Sequence, residues 1–251
     1  MKTFRIIPRL EIKNRNLIKG IRLEGLKKIG DPEKFALKYQ IDSADEIFFD
    51  NIVSTLFEEK LDFDYFNLLT NKIFIPVCIS GGINSINDSM KLFKSGASKI
   101  SINTQAVKSP YFLKKLIKNI GSQSISVLIQ TKIINNKWVV MTDSGRNNSD
   151  KELISWISEI QDIGVGEIFV LFIDNDGKQN THLNYEIIKK VCLHSKVPIL
   201  IGGGIDSFEK ITNLINLGID GCFISRCLHY DLINIRKIKM QLLKAGYKLR
   251  I

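Results

Sequence analysis

The sequence predicts an α/β protein folded as one (β/α)8 barrel, a TIM barrel with a two-fold half-barrel repeat. Three observations point there. β-Branched runs alternate with helical segments eight times along the 251 residues, and such alternation gives a parallel sheet covered by helices. The units are near-equal and fall into two sets of four that repeat each other. IPVCISGGINS at 75–85 is echoed by VPILIGGGIDS at 197–207, each an apolar run with a proline near its start and glycines at its end. An open doubly wound sheet competes, but it gives no reason for eight near-equal units with half-chain symmetry. No linker rich in Pro, Gly or Ser divides the chain, so 1–251 is expected to form a single domain.

The elements follow in order. FRIIPRLEI at 4–12 reads as the first strand, and a long polar loop with Lys19-Gly20 is expected after it. DPEKFALKYQ opens a helix, with Asp31 as N-cap and Pro32 as its first residue. DEIFFDNI at 45–52 is the second strand, and residues 62–72 carry apolar side chains at helical spacing. IPVCIS is the third strand, and the helix SINDSMKLFKSG closes on Gly96. ASKISIN at 97–103 is the fourth strand, and SPYFLKKLIKNIG is its helix.

The second half repeats the plan. SISVLIQTK at 124–132 is the fifth strand, followed by a β-hairpin turning at Asn135-Asn136. KELISWISEIQDIG is amphipathic and helical. GEIFVLFID is the sixth strand, VPILIG the seventh and IDGCFISR the eighth. The helices NYEIIKKVCLH, DSFEKITNLINLG and residues 231–245 follow them in turn. Across the halves, DEIFF matches GEIFV and KSGASKISIN matches NLGIDGCFIS.

Composition excludes several function classes. The net charge of +10 raises the question of nucleic acid, but the lysines are spread along the chain with no run of five and no aromatic interleaving. Phosphate-bearing small molecules remain compatible with that charge. Cys78, Cys192, Cys222 and Cys227 form no C-x-x-C and sit in apolar contexts, which reads as reduced buried thiols. His182, His194 and His229 have no metal-ligand spacing, so neither metal nor cofactor is expected. MKTFRIIPRLEIK is charged too soon for a signal peptide, and no apolar run approaches 18 residues. The expectation is a cytoplasmic protein with no membrane segment.

In a (β/α)8 barrel the chemistry sits at the C-terminal ends of the strands. Those ends here offer Ser80, Gly81 and Gly82, then Asn103 and Thr104. Across the mouth they offer Asp174, Asp176 and Gly177, then Gly202, Gly203 and Gly204, then Ser225 and Arg226. A buried strand ending in glycines before a capped helix leaves bare N–H groups at a helix N-terminus, which suits phosphate. One such turn alone reads equally as a tight βα connection. Two, facing each other, favour an elongated ligand with a phosphate at each end. At the opposite rim, Arg5, Glu46, Lys99 and Glu167 fall at strand starts, where they could form a ring of alternating charge. A structural plug and a gate over an axial passage fit that ring equally well.

RIIPRLEIK, IKG at 18–20, GDP at 30–32, SGGI, SINTQAV, GSQS, TDSG, IDNDG, GEIF and PILIGGGI together resemble the cyclase (synthase) subunit of imidazole glycerol phosphate synthase. The resemblance spans essentially the whole chain. It implies a heterodimer with a glutaminase subunit docked on the barrel floor, and an ammonia gate built from Arg5, Glu46, Lys99 and Glu167. It also implies a ribulosyl bis-phosphate substrate held by Gly82, Asn103, Thr104, Asp176, Gly177, Gly203, Ile224 and Ser225, with Lys19 as the loop lysine. The product would be imidazole glycerol phosphate together with a purine precursor.

The family's two catalytic aspartates fall on Glu11 and Gln130, and a third family aspartate falls on Asn51, beside Asp50. Moving a catalytic group by about 1 Å costs on the order of 100-fold, and loss of an acid–base group costs about 100- to 10,000-fold. Three functions follow from the resemblance. The first is a paralogue that takes glutamine-derived ammonia to another acceptor, as in the amidination of surface or flagellar sugars. The second is a working histidine-pathway cyclase, and the third is a non-catalytic binding or regulatory barrel.

Overall fold

The computed structural model describes residues 3–54 and 60–249. Eight parallel strands close on one another: β1 (Arg5–Lys13), β4 (Ile47–Asp50), β5 (Val77–Ser80), β6 (Lys99–Ile102), β7 (Ile125–Ile134), β10 (Glu167–Phe172), β11 (Ile199–Gly202) and β12 (Gly221–Ile224). The register Arg5↔Gly221 through Pro8↔Ile224 joins the last strand to the first, and Arg9↔Phe48 through Glu11↔Asp50 joins the first to the second. The β7–β10 pairing completes the circle. The predicted (β/α)8 barrel is therefore the observed fold.

Helices wrap the outside: α1 (Pro32–Ile41), α2 (Phe63–Thr70), α3 (Ile86–Lys94), α4 (Thr104–Lys108), α5 (Pro110–Ile120), α6 (Leu153–Ile163), α7 (Tyr185–His194), α8 (Phe208–Asn216), α9 (Arg226–His229) and α10 (Ile235–Lys244). Their starts carry the chemistry expected of them. The Asp31, Ser85, Ser109 and Ser207 side chains accept from the first-turn amides, and Pro32 and Pro110 occupy the opening turns. No helix among the described residues is long and apolar enough to cross a membrane.

Three features differ from the sequence expectation. The polar loop after β1 is a β-hairpin, β2 (Asn16–Ile21) with β3 (Glu24–Gly30). Its tight turns place Asn14-Arg15 and Arg22-Leu23 at positive φ, a conformation in which arginine and leucine give no sequence warning. The hairpin at Asn135-Asn136 does turn there, joining β7 to β8 (Lys137–Thr142), but a third strand, β9 (Asn147–Glu152), extends it and delays the next helix to Leu153. Arg226 does not extend β12; it opens the short helix α9, and the final helix begins later, at Ile235.

Two large apolar cores result among the described residues, beside a small cluster of Ile18, Ile52 and Val53. One lies between strands and helices, around Trp156, Phe49, Phe66 and Ile160. The other fills the barrel with Ile7, Phe48, Cys78, Leu128, Phe169, Leu200 and Phe223. Phe169 packs tilted on Phe48 at 4.9 Å and edge-on against Phe223 at 5.4 Å. This aromatic layer separates two charged ends.

The half-barrel repeat extends to the backbone. Gly81 and Gly203 both have φ +91°. Ser85 (φ −141°, ψ 159°) is matched by Ser207 (−146°, 158°), and Asn103 (−117°, −86°) by Ser225 (−118°, −85°). A β-carbon on Gly81 would stand 2.1 Å from the Asn51 carbonyl oxygen, and one on Gly203 would stand 2.3 Å from that of Phe172. Each turn crosses its neighbouring strand too closely for any other residue.

Candidate active site

The predicted site residues gather into three groups. At one side of the mouth, Gly82, Asn103, Thr104 and Gln130 line an open cleft together with Asp50, Ser80 and Ser101. Asn103 donates its amide N–H to the Met141 carbonyl at 3.1 Å, which fixes its oxygen as a free acceptor, and Thr104 accepts from the Asp143 amide at 2.9 Å. On the other side, Asp176, Gly177, Gly203, Ile224 and Ser225 line a second open cleft with Lys178 and Arg226. The glycine turns and the short helices after β6 and β12 form the walls of both. Asp174, one of the strand-end carboxylates, instead accepts from the Ile133 amide and braces the β7 hairpin.

Between the clefts lies a buried ionic cluster. The odd residues of β1 face the barrel axis, so Arg5, Ile7, Arg9 and Glu11 stack from floor to mouth. The Arg9 guanidinium, 1% exposed, donates Nε and Nη2 to Asp50 Oδ2 at 3.0 and 2.7 Å. Its Nη1 stands 2.9 Å from Glu11 Oε1 and 3.6 Å from Asp176 Oδ1. Lys19, brought over the mouth by the β2–β3 hairpin, donates to Glu11 at 2.7 Å and to Asp176 at 2.8 Å. Burial pushes the Glu11 carboxyl above its ordinary range, against the opposing pull of Lys19 and Arg9. Burial disfavours the Arg9 cation, but Glu11, Asp50 and Asp176 more than offset it and hold the guanidinium charged. Glu11 Oε2 and Gln130 Oε1 are buried without hydrogen-bond donors.

Arg9 was not among the residues the motifs singled out, and Asp50 figured only as a neighbour of Asn51. Their signal was parity: Arg9 lies two residues from Ile7 and Asp50 two from Phe48, on the same axis-facing side of their strands. A second unforeseen group buttresses β1 from outside. His229 Nε2 lies 3.1 Å from the Arg9 carbonyl oxygen, and its Nδ1 lies 2.6 Å from the Tyr39 hydroxyl. The carbonyl can only accept, so Nε2 carries the proton and Nδ1 accepts from Tyr39. Burial and the nearby Lys19 lower the His229 pKa to about 3.

Arg5, Glu46, Lys99 and Glu167 meet at the floor, below the phenylalanines. Arg5 bonds Glu167 and stands 3.6 Å from Glu46, while Lys99 reaches Glu46 at 3.3 Å and Glu167 at 2.5 Å. Burial raises the Glu46 carboxyl despite Lys99. Burial works against the Lys99 cation, but Glu46 and Glu167 outweigh it and raise its pKa. Cations and carboxylates alternate around this ring, so every charge has a partner.

The whole arrangement has relatives. The histidine biosynthesis protein family matches residues 5–234. Three proteins named imidazole glycerol phosphate synthase subunit HisF are similar over nearly the full chain. The one from Flavobacterium psychrophilum is 35% identical and covers 100% of both chains. That from Campylobacter concisus is 33% identical over 98% of each, and that from Saccharolobus solfataricus is 33% identical over 100% of each. The chain belongs to the histidine biosynthesis protein family, as a divergent barrel of the HisF cyclase-subunit type.

Proposed function

We propose that this barrel is the synthase-side subunit of a glutamine amidotransferase complex. It binds a phosphorylated ligand of the bis-phosphate type across its two clefts and receives ammonia from a glutaminase partner through the floor ring. It delivers that ammonia to an acceptor other than the histidine-pathway substrate, of the kind amidinated in surface or flagellar sugars. One observation carries the reading: the two glycine turns keep matching backbone geometry while the acid–base positions do not. Glu11 is clamped between Lys19 and Arg9, and Gln130 offers an amide that neither takes nor gives a proton in the neutral range.

A working cyclase is the second reading, favoured by Glu11 keeping a carboxylate against Lys19. Two assays separate them. Co-expression with the source organism's glutaminases should yield a complex whose glutamine hydrolysis exceeds that of the glutaminase alone; a barrel that neither pairs with nor stimulates any of them contradicts the subunit reading. The Glu11→Asp/Gln130→Asp double variant should gain ammonia-dependent cyclisation over the wild type. A wild type already as fast as an ordinary cyclase supports the second reading instead.

A further inference from the structure

The two clefts share a backbone but not a charge. Thr104 and Arg226 occupy equivalent places in the two half-barrels, each directly after the matched pair Asn103 and Ser225. Both side chains therefore leave the chain toward their clefts from the same point. Thr104 is engaged, its hydroxyl accepting from the Asp143 amide. Arg226 is not: its Nη1 is buried without a hydrogen-bond acceptor, and the guanidinium is steadied over the Tyr230 ring at 5.5 Å. Arg226 as a whole is partly exposed, but a donor atom buried without an acceptor is costly, and an acceptor supplied from outside would satisfy it.

The rest of the lining points the same way. Among the described residues no lysine or arginine lines the first cleft, and its carboxylate, Asp50, is neutralised by Arg9. Its unpaired buried atoms include two acceptors, Asn103 Oδ1 and Gln130 Oε1. The second cleft has Lys178 and Arg226, and its carboxylate, Asp176, is already held by Lys19.

We infer that Arg226 makes the second cleft the stronger of the two phosphate anchors, while the first cleft holds its phosphate on backbone N–H groups alone and uses Asn103 and Gln130 to accept from the ligand's own N–H or O–H groups. This rests on reading the two clefts as one phosphorylated ligand's site. Both glycine turns supply backbone N–H groups; Arg226 adds a charge-assisted, geometrically fixed contact to one of them only. Such a contact changes affinity by roughly 10- to 100-fold.

The test is a titration of the 15N-labelled full chain with inorganic phosphate, following the Gly81 and Gly203 amide signals. The Gly203 midpoint should lie at least about 10-fold below that of Gly81. Arg226→Ala should raise the Gly203 midpoint about 10- to 100-fold and leave Gly81 unmoved, with Arg226→Lys recovering part of the loss. Equal midpoints in the wild type, or a Gly203 midpoint indifferent to Arg226→Ala, overturn the inference while leaving the phosphate reading standing. A response at neither glycine overturns both. If Arg226→Ala does not fold, the wild-type midpoints decide.

Discussion

The Lys19 ammonium lies 2.7 Å from the Glu11 carboxylate, and both side chains are almost wholly buried. Lys19 also serves Asp176, whereas Glu11 also has Arg9. The cluster of Arg9, Lys19, Glu11, Asp50 and Asp176 thus holds two cations against three carboxylates. Lys19→Met leaves three buried carboxylates with Arg9 as their one cation in the cluster and should cost about 3–5 kcal/mol. Glu11→Gln removes the surplus negative charge and should cost about 1–2 kcal/mol. Urea unfolding of the two variants checks the order, and a larger loss for Glu11→Gln contradicts it.

His229 gives the fold an acid limit. It is neutral in the folded barrel, with its pKa lowered from 6.5 to about 3, and it is free to protonate when unfolded. Between those values the unfolded chain binds more protons, so stability falls as the pH drops from 6.5 toward 3. At about 1.4 kcal/mol per pH unit the whole window is worth on the order of 4–5 kcal/mol. Glu11 and Glu46, with raised carboxyls, act in the opposite sense above their ordinary range. The contribution of His229 is therefore read by comparison: His229→Gln should flatten the pH dependence of Tm below 6.5. An unchanged slope assigns the acid limit to other groups.

The glycine turns differ sharply from other left-handed glycines. Gly81→Ala drives a methyl into the Asn51 carbonyl, and should cost about 3 kcal/mol. Gly164, left-handed at φ +101° and ψ 32°, has open space where its β-carbon would go, so Gly164→Ala should cost only about 1 kcal/mol. Gly203→Ala should behave like Gly81→Ala because the two turns are equivalent. Thermal unfolding of the three variants settles the comparison.

At the floor, Lys99→Ala leaves Glu46 and Glu167 with Arg5 alone. The ring is partly solvated, so the cost should be about 2–3 kcal/mol, below that of a fully buried pair. If the ring gates ammonia, glutamine-dependent turnover in the assembled complex should fall more than turnover with added ammonium salt. An equal fall in both would mark the ring as structural.

Much of this was legible from residues alone. The barrel could be read because strand and helix periodicities alternate cleanly and the halves repeat. The floor ring could be read because a strand's first inward residue is fixed by parity with its last. The β2–β3 hairpin could not, since its turns use Asn14-Arg15 and Arg22-Leu23 in place of glycine. With it went the route by which Lys19 reaches Glu11. The Arg9–Asp50 pair was hidden for another reason: it joins two strands through a contact no local motif encodes. The difference between the clefts emerges only when Thr104 is superposed on Arg226 through the repeat.

The proposed function requires that the binding clefts persist while the cyclase's acid–base chemistry does not. Ammonia-dependent turnover of the histidine-pathway ribulosyl bis-phosphate by the wild-type chain tests it most directly, alongside an ordinary cyclase under the same conditions. Formation of imidazole glycerol phosphate should be at least about 100-fold slower, with the substrate still bound. A rate matching the ordinary cyclase would contradict it.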